Sequence, residues 1–330
     1  AQEDPGIFLT KGEIAGVTPE AGKISVTAKD TLLGPSVKFQ ADLVVLATGM
    51  VPTTVDEPIL NLTYRQGPAL PTLKYGFPDS HFICFPYETQ RTGIYAAGTV
   101  RAPMDTASAL QDAAGAALKA IQCLHLTAQG KAVHPRVGDD SFPEFFLNRC
   151  TQCKRCTEEC PFGTLDEDEK GTPKPNPTRC RRCGVCMGAC PERIISFKNY
   201  SIDLIASMIK SVDVSDDEDV PTFLGLICEN DAYPALDMAG LARIKYSPHI
   251  RFIPLRCLGG TNLVWMAEAM SKGLEGVLLV GCKHGENYQC HFVKGSELCS
   301  IRLSKVQETL NRLQLESGRI RMVQLAINEY

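Results

Sequence analysis

Two stretches of this chain could do chemistry on spacing alone. They are Cys150-Thr-Gln-Cys153-Lys-Arg-Cys156-Thr-Glu-Glu-Cys160-Pro161 and Cys180-Arg-Arg-Cys183-Gly-Val-Cys186-Met-Gly-Ala-Cys190-Pro191. In each, three thiolates spaced three residues apart curl round one face of an iron–sulfur cube. The fourth, followed by a proline that turns the chain, points away to a second cube. This assigns Cys150, Cys153, Cys156 and Cys190 to one 4Fe–4S cluster, and Cys180, Cys183, Cys186 and Cys160 to another. Zinc knuckles or disulfides are the alternatives; two tandem runs, each closed by Cys-Pro, favour the cubes. The chemistry would be the movement of single electrons.

The segment that holds these cysteines is an internal repeat. Asn148-Arg149-Cys150 onward mirrors Thr178-Arg179-Cys180 onward. Each Cys-Pro should lead into a short strand, with the polar loop from Asp166 to Pro177 between the halves. Lys154, Arg155, Arg181 and Arg182 stand among the cysteines. They either ease reduction by placing positive charge nearby, or solvate an exposed face or dock an acidic partner.

The bulk of the chain sets limits. Its net charge of −4 leaves no footprint for nucleic acid. Fifteen cysteines suit a reducing cytoplasm better than a disulfide scaffold. No signal-peptide pattern opens the chain, and no apolar stretch approaches the ~20 residues of a membrane-spanning helix. Membrane association would therefore come through a partner. The chain starts at Ala1-Gln2-Glu3-Asp4-Pro5 and enters what reads as sheet, as a piece of a longer polypeptide would.

Upstream of the cysteine runs, residues 7–50 read as β-rich, with strands at Gly6–Thr10, Gly16–Thr18 and Lys23–Ala28. The continuous apolar run Ala41–Pro52, with Thr48 and Gly49 at its exit, predicts a buried parallel strand. Arg91–Thr99 predicts a second buried strand ending at Gly98, followed by a helix from Thr106 to Leu124. Residues 126–145 read as a surface linker in which His125, at its edge, and His134 are ordinary exposed residues.

Downstream, a helix is expected at Ser201–Lys210, then an acidic tether from Asp213 to Asp219 that marks a domain boundary. The last part alternates strands (Thr222–Ile227, Ile250–Leu255, Gly276–Val280, Arg321–Ala326) with helices (Ala235–Ile244, Asn262–Lys272, Ile301–Glu316). That order predicts a small parallel sheet with helices on both faces. Cys228, Cys257 and Cys282 stand at the ends of three successive strands, the edge where ligands sit in such sheets. Cys290 in the next loop could supply a fourth thiolate. The four form either a third metal site, with 2Fe–2S as the candidate, or simply packed thiols. His284 and His291 are nearby ligand candidates; Cys84, Cys123 and Cys299 read as ordinary thiols.

Three resemblances follow. The cysteine runs have the bacterial ferredoxin pattern. Ala41–Pro52 together with Thr92-Gly-Ile-Tyr-Ala-Ala-Gly98 resembles the later half of a two-dinucleotide-binding flavoprotein of the disulfide-reductase type. It implies FAD contacts at Thr48, Gly49, Gly98, Thr99, Asp105 and Thr106. Thr99 stands where that family has an acidic residue, and Asp105 could take its place. The glycine-rich phosphate turn that opens such folds is absent from the sequence, so FAD would be completed by an upstream segment or bound only in part. The C-terminal part resembles the delta subunit of methyl-viologen-reducing hydrogenase. The carrying residues are Cys228, Ala242–Pro248, Arg256-Cys257, Gly281-Cys282 and Cys290-His291. The resemblance implies a 2Fe–2S cluster, although Asp231 lies about where a further family cysteine would be.

The fold class expected is α/β and α+β multidomain. A partial FAD-binding domain (1–125) and a linker (126–145) precede a two-cluster ferredoxin-like domain (146–198). A helix and acidic linker (199–220) then lead to a delta-subunit-like α/β domain (221–330). This order resembles the A subunit of heterodisulfide reductase fused to the hydrogenase delta subunit, the arrangement of the B subunit in quinone-interacting membrane-bound oxidoreductase complexes. The resemblance implies an electron-transfer subunit between a membrane quinone-reactive subunit and adenylylsulfate (APS) reductase in dissimilatory sulfate reduction, cytoplasmic and peripheral to the membrane. The alternatives are a flavin-based electron-bifurcating enzyme built like the A subunit of heterodisulfide reductase, or a C-terminal domain that serves only for docking. No protein nucleophile with a base at suitable spacing is evident.

Overall fold

The computed structural model describes residues 3–32, 34, 36–57, 70–80, 86–131, 133, 139, 141–215, 220–285, 290, 292, 294–312 and 316–330. The chain divides into two units, Ala1–Met50 and Val51–Tyr330. In the first, β1 (Gly12–Glu20), β2 (Lys23–Asp30) and β3 (Ser36–Ala41) form an antiparallel sheet in that order. Ala21 and Gly22 join β1 to β2 with φ of 53° and 81°. Positive φ at both loop residues is the turn geometry that matches the twist of paired strands. Gly6–Thr10, expected as a strand, has no regular structure.

The run Ala41–Pro52 is not a buried strand. Only Ala41 belongs to one, and Leu43, Val45 and Leu46 are 77, 80 and 66% exposed. A parallel strand needs neighbours to take up its backbone donors and acceptors, and beyond Ala41 no described strand pairs with this run.

In the second unit, Arg91–Thr99 also differs from expectation. Gly93 takes φ 87° and Ile94 N–H donates to Arg91 O at 3.1 Å, so the chain turns inside the run. A single bridge, Glu88 to Tyr95, remains of the strand. The helix that follows, α1 (Thr106–Ala128), is present and extends past Leu124. The carboxylate of Asp105 caps it by accepting from Ser108 N–H at 3.0 Å.

The cysteine-rich segment folds as a repeat. The first half runs through β4 (Glu144–Phe145), α2 (Arg155–Glu159) and β5 (Leu165–Glu167), and the second through β6 (Pro173–Pro175), α3 (Val185–Ala189) and β7 (Ile195–Ser196). β4 pairs with β7 and β5 with β6, both antiparallel, so the two halves interlock. Positive φ recurs at equivalent places: Gln152 and Arg182, Lys154 and Gly184, Gly163 and Arg193. Non-glycine residues rarely adopt this conformation, and its repetition marks a backbone constrained by what it encloses.

The remainder consists of α4 (Ile202–Lys210), β8 (Phe223–Cys228), α5 (Ala232–Leu241), β9 (Ile250–Leu255), α6 (Leu263–Ser271), β10 (Gly276–Cys282), α7 (Gly295–Arg312) and β11 (Ile320–Leu325). The strands are all parallel, in the order β11-β10-β8-β9. The chain therefore leaves β8 first to one side and then to the other, which opens a crevice at the strand ends beside β8.

The core does not break where the acidic tether was expected to separate domains. Ile195 and Tyr200, from the end of the cysteine-rich segment, share one apolar cluster with Ile205 and Ile209 of α4, Leu224 and Leu226 of β8, and Trp265 of α6. Residues 216–219 of that tether lie outside the described residues. Trp265 is fully buried, and its indole N–H donates to Ile202 O at 2.9 Å. Trp265→Ala should destabilise the chain by about 3–5 kcal/mol, seen as a lower urea midpoint by circular dichroism.

Candidate metal centres

Each cysteine run places its third thiol on a five-residue helix, Cys156 on α2 and Cys186 on α3. The chain then leaves through Cys-Pro, which ends the helix and carries the fourth thiol across to the other half. One cavity is lined by Cys150, Cys153, Cys156 and Cys190. A second is lined by Cys160, Cys180, Cys183 and Cys186. Each thus receives three thiols from one run and the closing thiol of the other. The fourteen described cysteines are all free of disulfides. Among the described residues, no three His, Cys, Asp or Glu side chains converge as the ligands of one metal ion would. Four thiols spread round a cavity suit a cube better than a single zinc.

The two cavities differ in exposure. Cys153 is exposed and Cys150 half-buried in the first, whereas Cys180, Cys183 and Cys186 are buried in the second. Burial, with Cys190, Cys153 and Cys150 close by, pushes the Cys156 thiol up to about 12. Burial pushes Cys180 up to about 11, against the pull of the Arg182 N–H and two arginines. Arg182 N–H donates to Cys180 Sγ and Thr164 N–H to Cys160 Sγ, each at 3.4 Å. Such donors favour a thiolate once a cation is present to replace the proton.

A third group lies at the crevice of the parallel sheet. Cys228 ends β8, Cys282 ends β10, Cys257 follows β9, and Cys290 precedes α7; none is more than 2% exposed. Cys228 Sγ and Cys282 Sγ are 3.7 Å apart, close to the spacing of two thiolates on one tetrahedral metal with bonds of about 2.3 Å. Cys257 bonds to Cys290, which Cys282 also reaches. Two contacting pairs are the donor set a 2Fe–2S group needs. Thiol hydrogen bonds push Cys257 and Cys282 up and pull Cys228 and Cys290 down. Further donors surround it: Gly259 N–H to Cys257 Sγ at 3.3 Å, Ser296 N–H to Cys290 Sγ at 3.4 Å, and Asn230 Nδ2 to Cys228 Sγ at 3.3 Å.

Gly295, to which no sequence motif points, opens α7 against these thiols. A Cβ there would lie 2.2 Å from Cys257 Sγ and 3.2 Å from Cys290 Sγ. Asp231 is buried at the start of α5, and His284 is half-buried just past β10. His134, His291 and Cys84 lie outside the described residues. Cys299 bonds weakly to Thr261 at 3.8 Å, and Cys123 contacts Tyr95.

Of the residues expected to contact FAD, Gly98 and Asp105 have partners of their own. Thr48 and Gly49 are exposed in the N-terminal unit. Gly98 N–H donates to Asp112 at 2.8 Å, and Asp112 also receives Arg101 Nε at 2.9 Å. Asp105 is occupied as the cap of α1, Thr106 is the first residue of that helix, and Thr99 is exposed.

Sequence reasoning also missed the long-range ion pairs. Arg181 meets Glu88 at 3.7 Å, Arg256 meets Asp139 at 2.8 Å, and Arg302 meets Glu159. The proximity of Arg181 to cysteines was a signal; nothing local pointed to Asp139 or Glu159.

Comparison with known proteins places these centres in context. The family "4Fe-4S dicluster domain" matches residues 149–195, and "Methyl-viologen-reducing hydrogenase, delta subunit" matches residues 223–330. The chain is 26% identical, over 99% of its length, to the A subunit of the ferredoxin/F(420)H(2)-dependent CoB-CoM heterodisulfide reductase of Methanosarcina acetivorans. It spans 39% of that protein. It is 33% identical, over 52% of its length and 24% of the relative, to the second form of the iron-sulfur A subunit of CoB–CoM heterodisulfide reductase in Methanopyrus kandleri. Over 31% of its length it is 29% identical to the iron-sulfur D subunit of the F420-non-reducing hydrogenase of Archaeoglobus profundus, covering 72% of it. The chain is similar to the A subunit of heterodisulfide reductase, with a C-terminal domain of the hydrogenase delta-subunit kind.

Gly295→Ala should crowd Cys257 and Cys290 and, with a 2Fe–2S cluster in the third group, lower iron by about two per chain while about eight remain; iron and labile-sulfide assays measure it. Reconstitution of the metal-free chain should weaken as pH falls, because each raised thiol must lose its proton to bind iron. Following the iron–sulfur absorbance at several pH values checks the sign.

Proposed function

We propose that this chain is an electron-transfer protein of the same type as the A subunit of heterodisulfide reductase. In this reading Cys150, Cys153, Cys156 and Cys190 hold one 4Fe–4S cluster, and Cys160, Cys180, Cys183 and Cys186 a second. Cys228, Cys257, Cys282 and Cys290 hold a 2Fe–2S cluster. The observation that carries the reading is the crosswise lining of the two four-cysteine cavities. When bound, such clusters take up and release single electrons without moving atoms far.

The rest is the work of the chain. The first cavity brings a thiol, Cys153, to the surface, where a partner could approach. Packing of α2 on α3 brings Cys156 and Cys186 near each other, and so joins the first cavity to the second. Phe162, Val185 and Phe292 wrap Cys183 and Cys257 in one apolar cluster, which joins the second to the third and excludes water. Phe162 and Phe292 meet edge to face, with centroids 6.1 Å apart. The three thiol groups form a series within one protein body.

The names of the relatives support partner subunits in a multi-subunit redox complex. They favour a heterodisulfide-reductase-type assembly, the setting for flavin-based bifurcation, over the relay from a quinone-reactive subunit to APS reductase. That relay retains only the domain order behind it. Among the described residues no helix is long and apolar enough to cross a membrane. FAD remains part of the proposal through sequence resemblance alone.

Iron and acid-labile sulfide per chain, on anaerobically purified protein, test the reading. About ten irons are expected. About eight would make the C-terminal thiols a packing feature and its domain a docking module. Zinc in place of iron would overturn the proposal.

A further inference from the structure

Three buried arginines stand around the second cavity: Arg181, Arg182 and Arg256 are 4, 3 and 7% exposed. The first two belong to the second cysteine run. Arg256 does not. It comes from the C-terminal sheet, at the end of β9, and is the residue before Cys257 of the third group. Its guanidinium lies over two rings next to the cysteine-rich segment, 5.0 Å from the Phe197 centroid and 4.6 Å from that of Tyr200. Phe197 lines the second cavity, and Tyr200 packs against Gly184 at its rim. The Arg256 charge is felt at Cys180, where with Arg182 it opposes the larger upward push of burial.

Asp139 partly neutralises this cation. Its carboxylate is 2.8 Å from Arg256 Nη2. Burial pushes that carboxyl up, but bonds from Ser141 and the charges of Arg256 and Arg182 hold it below the ordinary carboxylate range. Arg182 is fixed in turn by donation from Nε to Ser141 O at 2.5 Å. One buried cation and its counter-ion therefore sit where the cysteine-rich segment meets the parallel sheet.

Four thiolates and an iron–sulfur core form a centre of net negative charge, and reduction adds one electron to it. A fixed cation in surroundings of low polarisability stabilises the reduced form more than the oxidised form. The two ring faces hold the guanidinium in place, so its field does not relax away as that of a solvated lysine would. We propose that Arg256, lent by the C-terminal domain, raises the reduction potential of the cluster held by Cys160, Cys180, Cys183 and Cys186, and that Asp139 offsets this effect. The C-terminal domain is then a tuning element for the second centre as well as the seat of the third. The inference rests on the eight cysteines being cluster ligands.

The test is a redox titration of the full chain followed by electron paramagnetic resonance, with iron per chain assayed for every variant. In Arg256→Gln one titration step should move to lower potential, while the step of the first cavity, whose lining includes neither Phe197 nor an arginine, stays in place. Arg256→Lys should return the moved step toward its original value. Asp139→Asn should move the same step upward. A purely structural role would not give shifts of opposite sign from the two partners of one ion pair. Iron-loaded Arg256→Gln and Asp139→Asn that leave every step in place, or move it in the same direction, would overturn the inference. Should Arg256→Gln fail to load iron, Asp139→Asn decides alone: an upward shift supports the proposal and any other result sinks it. A wild-type chain that holds no iron removes the ligand reading itself, and the inference with it.

Discussion

Crowding thiols into a space shut off from water is the constraint on which this structure depends. Burial raises the cost of ionising Cys156, Cys180, Cys183 and Cys186, and neighbouring thiols raise it again. A polycationic metal centre reverses that balance, because it replaces the protons and takes up the charge. The cavity-lining residues are built into the apolar core rather than hung on its surface. Cys156, Cys180, Cys186 and Cys190 share one cluster with Ile195, Ile205 and Leu224, and so do Cys228, Cys282 and Cys290. The same packing that supports the fold sets where the sulfur atoms stand.

Close approach between the cysteine-rich segment and the parallel sheet depends on small residues. A Cβ on Gly188 would lie 2.8 Å from Gly259 O, and one on Gly260 would lie 3.0 Å from Gly184 O. Arg302 of α7 closes this seam from outside, donating to Gly259 O and pairing with Glu159 of α2. The seam brings the second and third thiol groups into one apolar cluster. Loop and helix alone would have left them on separate bodies.

Much of this was legible in the sequence because it is written locally. The spacing within each run specified both cavities, including the exchange of Cys160 and Cys190. The βαβ rhythm specified the parallel sheet and placed Cys228, Cys257 and Cys282 on one edge. What failed to read correctly depends on partners. An apolar run such as Ala41–Pro52 has the composition of a buried strand, yet a strand exists only where neighbours pair with it. Arg91–Thr99 has the right residues, but Gly93 turns it before it can pair. Gly295 and Asp139 gave no local sign of their roles, since the thiols and the guanidinium they meet are far away along the chain.

The crosswise closure of the two cavities bears on how such a chain matures. Neither half of the repeat lines a four-cysteine cavity by itself, because the fourth thiol of each comes from the other half. On the proposed ligand assignment, filling one cavity would draw the closing cysteine of the opposite run into position. Oxidation works in reverse: losing Cys160 or Cys190 damages a site in the other half of the repeat. The halves are therefore joined in structure by paired strands and by shared cavity walls.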